Sequence, residues 1–291
     1  MLKQTLTKMG HGMEQVGVRV SRYLPTDLPL ELLADLYRAW LVSGLVQKMT
    51  HQVRPREKTA GAANRVAQKA EESLSAAFRQ GASKEKAFQE IVEDFLAVEK
   101  TDARLPQVGI VGDVYVRDND VFNQNLVQRL ERAGAEAVTI PFIDTVGLLA
   151  ATHFKSLWIE GSYMGLLRDK ALYNTFSLFG RNLIKIARPL IKDQECALKH
   201  DPVTYLQRHC LSIRHGGETS ENLLKVYYLY ENYPDLKFII HVYPLFCCPG
   251  LISEAIYKKV EKDLGIPIVS ITYDGTQTDK NKALEPYLHF L

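Results

Sequence analysis

The chain has 291 residues, 46% of them hydrophobic and 24% charged, with a formal net charge of +2. That is an ordinary globular composition, long enough to bury a substantial core. The near balance of charge leaves no electrostatic footprint for nucleic acid or a membrane as partner. No apolar run approaches the roughly 18 residues of a membrane span. The opening Met1-Leu2-Lys3-Gln4-Thr5-Leu6-Thr7-Lys8 lacks the apolar centre of a signal peptide. A cytoplasmic location is therefore expected.

Residues 1–27 carry Gly10, Gly12, Gly17 and Pro25 with weak periodicity and read as a peripheral lead-in. Residues 28–104 read as helical, so that 1–104 form a helical N-terminal region. Leu30, Leu33, Leu36, Tyr37, Trp40, Leu41 and Leu45 share one face of a first helix, with Asp27 as cap and Pro29 in its first turn. Arg54-Pro55-Arg56-Glu57 breaks it, because proline disfavours helix at the residue before. A second helix over 58–79 stops at Gly81, and Ser83 caps a third that turns Phe88, Ile91, Val92, Phe95 and Leu96 inward.

The pattern then changes to an α/β domain over 105–291. Residues 107–111 predict a strand, 112–120 a turn, 121–133 a helix with Phe122, Leu126, Val127 and Leu130 inward, and 135–140 a second strand. Such spacing implies a right-handed parallel crossover. Residues 144–210 read as a helical insertion interrupted at Gly147, Gly161, Gly165 and Gly180, with breaks at Pro189 and Pro202. A turn at Arg214-His215-Gly216-Gly217-Glu218 opens a helix over 221–232, and 237–242 is a third strand. Tyr243-Pro244-Leu245-Phe246-Cys247-Cys248-Pro249-Gly250 turns into another helix. A fourth strand covers 265–272, and Asp279 caps the last helix. The simplest sheet has the order 2-1-3-4, a flavodoxin-like open parallel sheet. Its switch point lies between β1 and β3, where the turns 112–120 and 243–250 meet and where such sheets bind ligands.

The four cysteines are Cys196, Cys210, Cys247 and Cys248. In an intracellular chain they serve as core filler, metal ligand or catalyst. Cys247 and Cys248 precede a helix start, where the dipole and backbone N–H groups lower a thiol pKa and favour iron–sulfur or zinc chemistry. They read equally as small apolar residues under a strand end. A full tetrathiolate set is missing, so a cluster here needs further ligands from elsewhere. Gly216-Gly217-Glu218 is either a tight turn with a favourable acidic residue or an anion-holding turn. Arg117, following Asp113 and Tyr115, either joins Asp118 or Asp120 in a turn network or contacts a phosphate or carboxylate. His241, within an apolar strand, reads as a core histidine, and Tyr227-Tyr228-Leu229-Tyr230 as helix packing.

Several segments together resemble the 2-hydroxyacyl-CoA dehydratase D-component superfamily, in the branch found as the C-terminal region of CoA-enzyme activase-related proteins. Arg54-Pro55-Arg56-Glu57 with Gly61 resembles its R-P-[YF]-E…G, Arg56 replacing an aromatic. Val108 to Arg117 resembles V-G-x-V-G-E-x-Y-V-R, with Asp113 in place of Glu, and Asn123 matches an asparagine after it. Gly217-Glu218 resembles a G-E before a helix, Tyr243 to Gly250 resembles M-P-F-x-C-x-P-G, and Tyr273-Asp274-Gly275-Thr276 a Y-D-G turn. The resemblance implies a flavodoxin-like fold and a 4Fe–4S or double-cubane cluster serving low-potential electron transfer in anaerobic CoA-thioester metabolism. It places Cys247 on the family's cysteine, with Cys248 and Cys210 as weaker candidates. Asp113, Tyr115, Arg117, Gly216, Gly217, Glu218 and Asp274 become candidates for ligand or anion binding. The family's preceding α/β domain and ATPase are missing from the pattern. The expected partner is therefore a second half-length homologue or an ATP-dependent activator, with a CoA thioester as small-molecule ligand. The alternatives are a docking subunit without its own cluster and a CoA- or nucleotide-binding module.

Overall fold

The computed structural model describes residues 29–191, 198–213, 218–289 and 291, the side chains of 142–144 aside. The chain divides into a unit ending at Leu36 and a second from Tyr37 to Leu291. Of the first, the described part is the opening of helix α1 (Leu30–Val53). Every strand and the other described helices belong to the second.

Four parallel strands, β1 (Gln107–Gly112), β2 (Glu136–Thr139), β3 (Leu236–Pro244) and β4 (Ile268–Tyr273), form one sheet in the order β2-β1-β3-β4. It is a flavodoxin-like open sheet. β1 lies in the middle, hydrogen-bonded in register to β2 (Ile110 opposite Thr139) and to β3 (Gly112 opposite Val242). Helices on both faces explain why the central strands read as unbroken apolar runs. On one face, α9 (Glu218–Asn232) and α10 (Cys248–Leu264) cover Val111 and Ile239, burying Leu223, Tyr227, Tyr257 and Val260. On the other, α5 (Leu126–Arg132) and the C-terminal segment, including the short α11 (Glu285–Leu288), cover Val108, Ile110, Ile240 and Val242.

A third cluster belongs to the helical region. α1, α2 (Ala62–Gln80) and α3 (Lys84–Ala97) bury Leu41, Met49, Leu74, Phe88, Ile91 and Phe95. Leu183 and Ala187 of the long crossover complete this core. The crossover consists of α6 (Phe142–Ile159), α7 (Tyr163–Ala187) and α8 (Pro202–Arg208). The N-terminal helices and the insertion therefore share one core.

Several expectations shift in detail. The helix after β1 begins at Leu126, not Val121. Gln124 and Asn125 take the left-handed conformation, and Asn123, fully buried, donates to the carbonyls of Val116 and Arg117 while accepting from Leu126 N. That side chain builds a turn where periodicity suggested helix. A four-residue helix, α4 (Val114–Arg117), instead opens the turn. Gly147, Gly165 and Gly180 lie inside α6 and α7, so of the four glycine interruptions only Gly161 separates helices, while Pro189 follows the end of α7 and Pro202 opens α8 as expected. Leu30, Leu36, Trp40 and Leu96 face solvent although their spacing placed them on buried faces. Ser83 does cap α3, accepting from Lys86 N. Asp279 precedes a short 3-10 helix (Lys280–Leu284), but its carboxylate pairs with Arg129 and caps nothing. Asp27 lies outside the described residues.

Candidate functional site

The site is built where β1 and β3 end. Gly112 has φ +121°, and a Cβ there would stand 2.0 Å from the Val242 carbonyl oxygen, so only glycine lets the two strand ends lie this close. Asp113 N then donates to Val242 O at 2.9 Å, and the Asp113 carboxylate caps α4 by accepting from Val116 N at 2.9 Å. On the other side, β3 runs to Pro244, and Leu245 N donates to Tyr273 O of β4. Phe246 has φ +64°, and Cys247 becomes the N-cap of α10, with Cys247 N donating to Pro244 O at 3.0 Å. Pro249 fits the first turn because its missing N–H is one the helix leaves unbonded anyway. Gly250 is required by packing: a Cβ there would lie 2.5 Å from the Tyr243 ring. The start of α10 thus presses on that ring, which fixes Cys247 at the rim.

Around the thiol the structure gathers Asp113 from the β1 turn and Glu218 from the first described turn of α9. The two helix starts also touch, Thr219 Oγ1 donating to Pro249 O at 3.4 Å. Burial raises the Cys247 pKa, and Glu218, Asp113 and Cys248 push it further up, against the Gly250 N–H. The sequence-based expectation of a lowered thiol pKa is thus reversed: desolvation and two carboxylates outweigh the helix N-terminus. Glu218 is likewise raised, first by burial, then by Asp113 and Glu221, while Lys225 and Arg117 oppose the shift.

Beneath this acidic rim is a cationic floor. Lys225, 2% exposed, pairs with Glu221, and burial and then Arg117 depress its pKa. The Arg117 side chain is 0% exposed and forks its Nε and Nη2 onto the Asp118 carboxylate at 2.7 Å each. Among the described residues its third group, Nη1, is buried without a hydrogen-bond partner, as is Asn222 Oδ1 on α9. Arg117 therefore forms the turn network that its spacing allowed, with one N–H left over. Sequence reading missed Lys225, Glu221 and Asn222, because ordinary helical spacing does not show that these polar residues face inward.

Other candidates fall elsewhere. Tyr115 is exposed, its ring edge against Phe122. Asp274 accepts from Thr276 N and Oγ1 and pairs with Lys280, whose bond holds its carboxyl well below the usual range. It closes its own turn. Cys248 is exposed beside Cys247. Cys210 follows Arg208, which lies against Lys259 and Asp263 in the last turns of α10. A 17-residue helix is about 25 Å long, so Cys210 stands at its far end and does not join Cys247. Gly216, Gly217 and Cys196 lie outside the described residues. Among the described residues, no three His, Cys, Asp or Glu side chains converge as a metal-binding set. A cluster takes four ligands, mostly thiolates, and Cys247 and Cys248 supply two at most. These residues do not hold a cluster by themselves.

A second groove, of about 1050 Å³, runs between α1, α2 and the turns after β1 and β2, lined by Thr50, His51, Phe78, Asp118, Asp120 and Pro141 among others. His51 lies 3.4 Å from Thr139 Oγ1, and burial, then Arg54, lowers its pKa to about 3. No sequence motif pointed to it. Deeper in the sheet, His241 is the expected core histidine: its Nδ1 is 3.3 Å from Ser270 Oγ, its ring stacks on Tyr243, and burial lowers its pKa to about 3. No described helix is long and apolar enough to cross a membrane. Comparison with family models, curated proteins and solved structures finds no match to this chain.

Proposed function

We propose that this chain works in the cytoplasm as one part of a two-chain iron–sulfur redox component, with Cys247 as its ligand to a cluster that a second chain completes. The observation that supports this reading is the placement of Cys247 on an acidic strand-end rim amid exposed apolar residues. Leu245, Leu251 and Ile252 are exposed, and Phe246 is 84% exposed with a left-handed backbone. Such a conformation in a bulky residue costs on the order of 1 kcal/mol or more and concentrates at functional sites. An exposed apolar rim is what a docking partner covers. Metal ligation requires the thiolate, so loading releases the Cys247 proton. Negative charge at Asp113 and Glu218 lowers the reduction potential of a redox group beside them, the direction a low-potential donor needs.

The test is anaerobic isolation of the chain with whatever protein co-purifies from its native host, followed by iron and sulfide analysis and electron paramagnetic resonance. Iron and sulfide should be present in the complex, lost in Cys247→Ser and kept in Cys248→Ser. An iron-free complex that Cys247→Ser leaves intact sinks the reading and leaves a docking subunit. A second reading, a site for a CoA thioester or nucleotide, is favoured by Arg117 Nη1 and Asn222 Oδ1, buried with no hydrogen-bond partner among the described residues. Isothermal titration with CoA and acetyl-CoA checks it, and binding unaffected by Arg117→Lys removes Arg117 from that role.

A further inference from the structure

Helices α6 and α7 form an antiparallel hairpin, with His153 beside Asp169 and the Phe154 ring edge-on to Tyr173. The tight turn is at Glu160, Gly161 and Ser162. Its tip exposes Trp158, Ile159, Tyr163, Met164 and Leu167, Met164 at 80% and Leu167 at 66%. Trp158 and Tyr163 stand edge to face at 5.3 Å. Single exposed apolar side chains are commonplace, but five large ones about one turn form a patch. The patch continues along α7, where Ala171 and Leu178 share the helical face of Met164 and Leu167 and are exposed. The opposite face buries Gly180, Leu183 and Ala187. α7 also carries Lys170, Arg181 and Lys185, beside Arg168, which pairs with Asp169; Glu160 is exposed in the turn. The whole-chain charge of +2 hides this local excess.

We propose that the α6–α7 hairpin docks on an anionic lipid surface, its tip entering the headgroup boundary and its cations meeting the headgroups. Charge complementarity selects the occupant. A second copy would bring Lys170, Arg181 and Lys185 against the same three, which repels. A nucleic acid backbone would satisfy the cations but leave Met164 and Leu167 in water. An anionic bilayer takes both the apolar stripe and its basic flanks, as interfacial helices do. Trp158 and Tyr163 are the residue types that favour headgroup depth. The association is peripheral and uses none of the residues around Cys247.

Flotation of the full chain with vesicles of phosphatidylcholine alone and of equimolar phosphatidylcholine and phosphatidylserine tests it. The chain should float only with the phosphatidylserine vesicles, and less in raised salt. Lys170→Gln and Arg181→Gln should each weaken binding about fivefold. The triple variant Trp158→Ser, Met164→Ser, Leu167→Ser should abolish flotation while circular dichroism and the melting midpoint stay as in the parent, since all three side chains are exposed. Failure to float with phosphatidylserine vesicles, or flotation undiminished in the triple variant, overturns the proposal. So does a parent chain that stays off vesicles but forms a dimer that the triple variant loses, which would make a second copy the occupant.

Discussion

Two motif-bearing stretches of this chain behave in opposite ways. At Arg54-Pro55-Arg56-Glu57 every charged group is used. Arg54 donates through Nε and Nη2 to Glu131 of α5 at 2.7 and 3.0 Å and through Nη1 to Asn64. Arg56 bonds Glu136 of β2 and the carbonyls of Gln52 and Ala103, and Glu57 accepts from Gly61 N and Ala63 N at the start of α2. This is a joint between the helical region and the sheet. At the Cys247 rim the charged groups are paired only in part: Arg117 meets Asp118 and Lys225 meets Glu221, but burial, then Glu218 and Asp113, raise a thiol pKa, and Arg117 Nη1 is buried with no hydrogen-bond partner among the described residues. A satisfied network holds the fold, whereas a buried polar group left unbonded costs stability.

The largest loss is expected at the joint. Arg54→Ala strands the carboxylate of Glu131, whose side chain is 9% exposed, and should destabilise the fold by about 3–5 kcal/mol. Urea unfolding measures this, and a loss below about 1 kcal/mol would falsify the joint. The next effect is a pH dependence at His241. Its folded pKa is lowered to about 3 from 6.5, so the stability it contributes is complete above pH 6.5 and drains away as pH falls toward 3, at roughly 1.4 kcal/mol per pH unit. His241→Phe should flatten part of that slope, the remainder resting with His51, lowered in the same way. Unfolding midpoints in parallel acid series decide it.

The rim should respond in the opposite sense. The Glu218 pKa is raised in the folded state, so its ionised form opposes folding at neutral pH and its protonated form does not. Glu218→Gln should therefore stabilise the chain at pH 7 by less than about 1 kcal/mol after solvent screening, with the gain vanishing as pH falls through the carboxylate range. A neutral-pH loss in that variant would show Glu218 to be part of a structural pair. Cys247→Ala should move stability least, within about 1 kcal/mol, while removing iron and sulfide from the isolated complex. A large stability loss would return Cys247 to the core.

Much of the framework was legible because it follows from local pattern. The apolar strands at Val108 and Ile239 and the caps at Ser83 and Gly81 need only neighbours in sequence to be read, and parallel crossovers with a buried sheet restrict the strand order. Cys247 was legible as a strand-to-helix residue for the same reason. The helix start after β1 was not, because Asn123 reaches carbonyls six and seven residues back. Nor was the inward orientation of Lys225 and Asn222, which depends on how α9 lies against the sheet.

By itself, then, the sequence determined the sheet, its order and the strand-end turn that carries Cys247, because hydrophobic period and turn chemistry are local. Tertiary structure decided what each polar motif does. A pKa shift or an unpartnered N–H depends on which distant groups come near it: Glu131 beside Arg54 makes a joint, and burial, then Glu218 and Asp113, raises the pKa of Cys247.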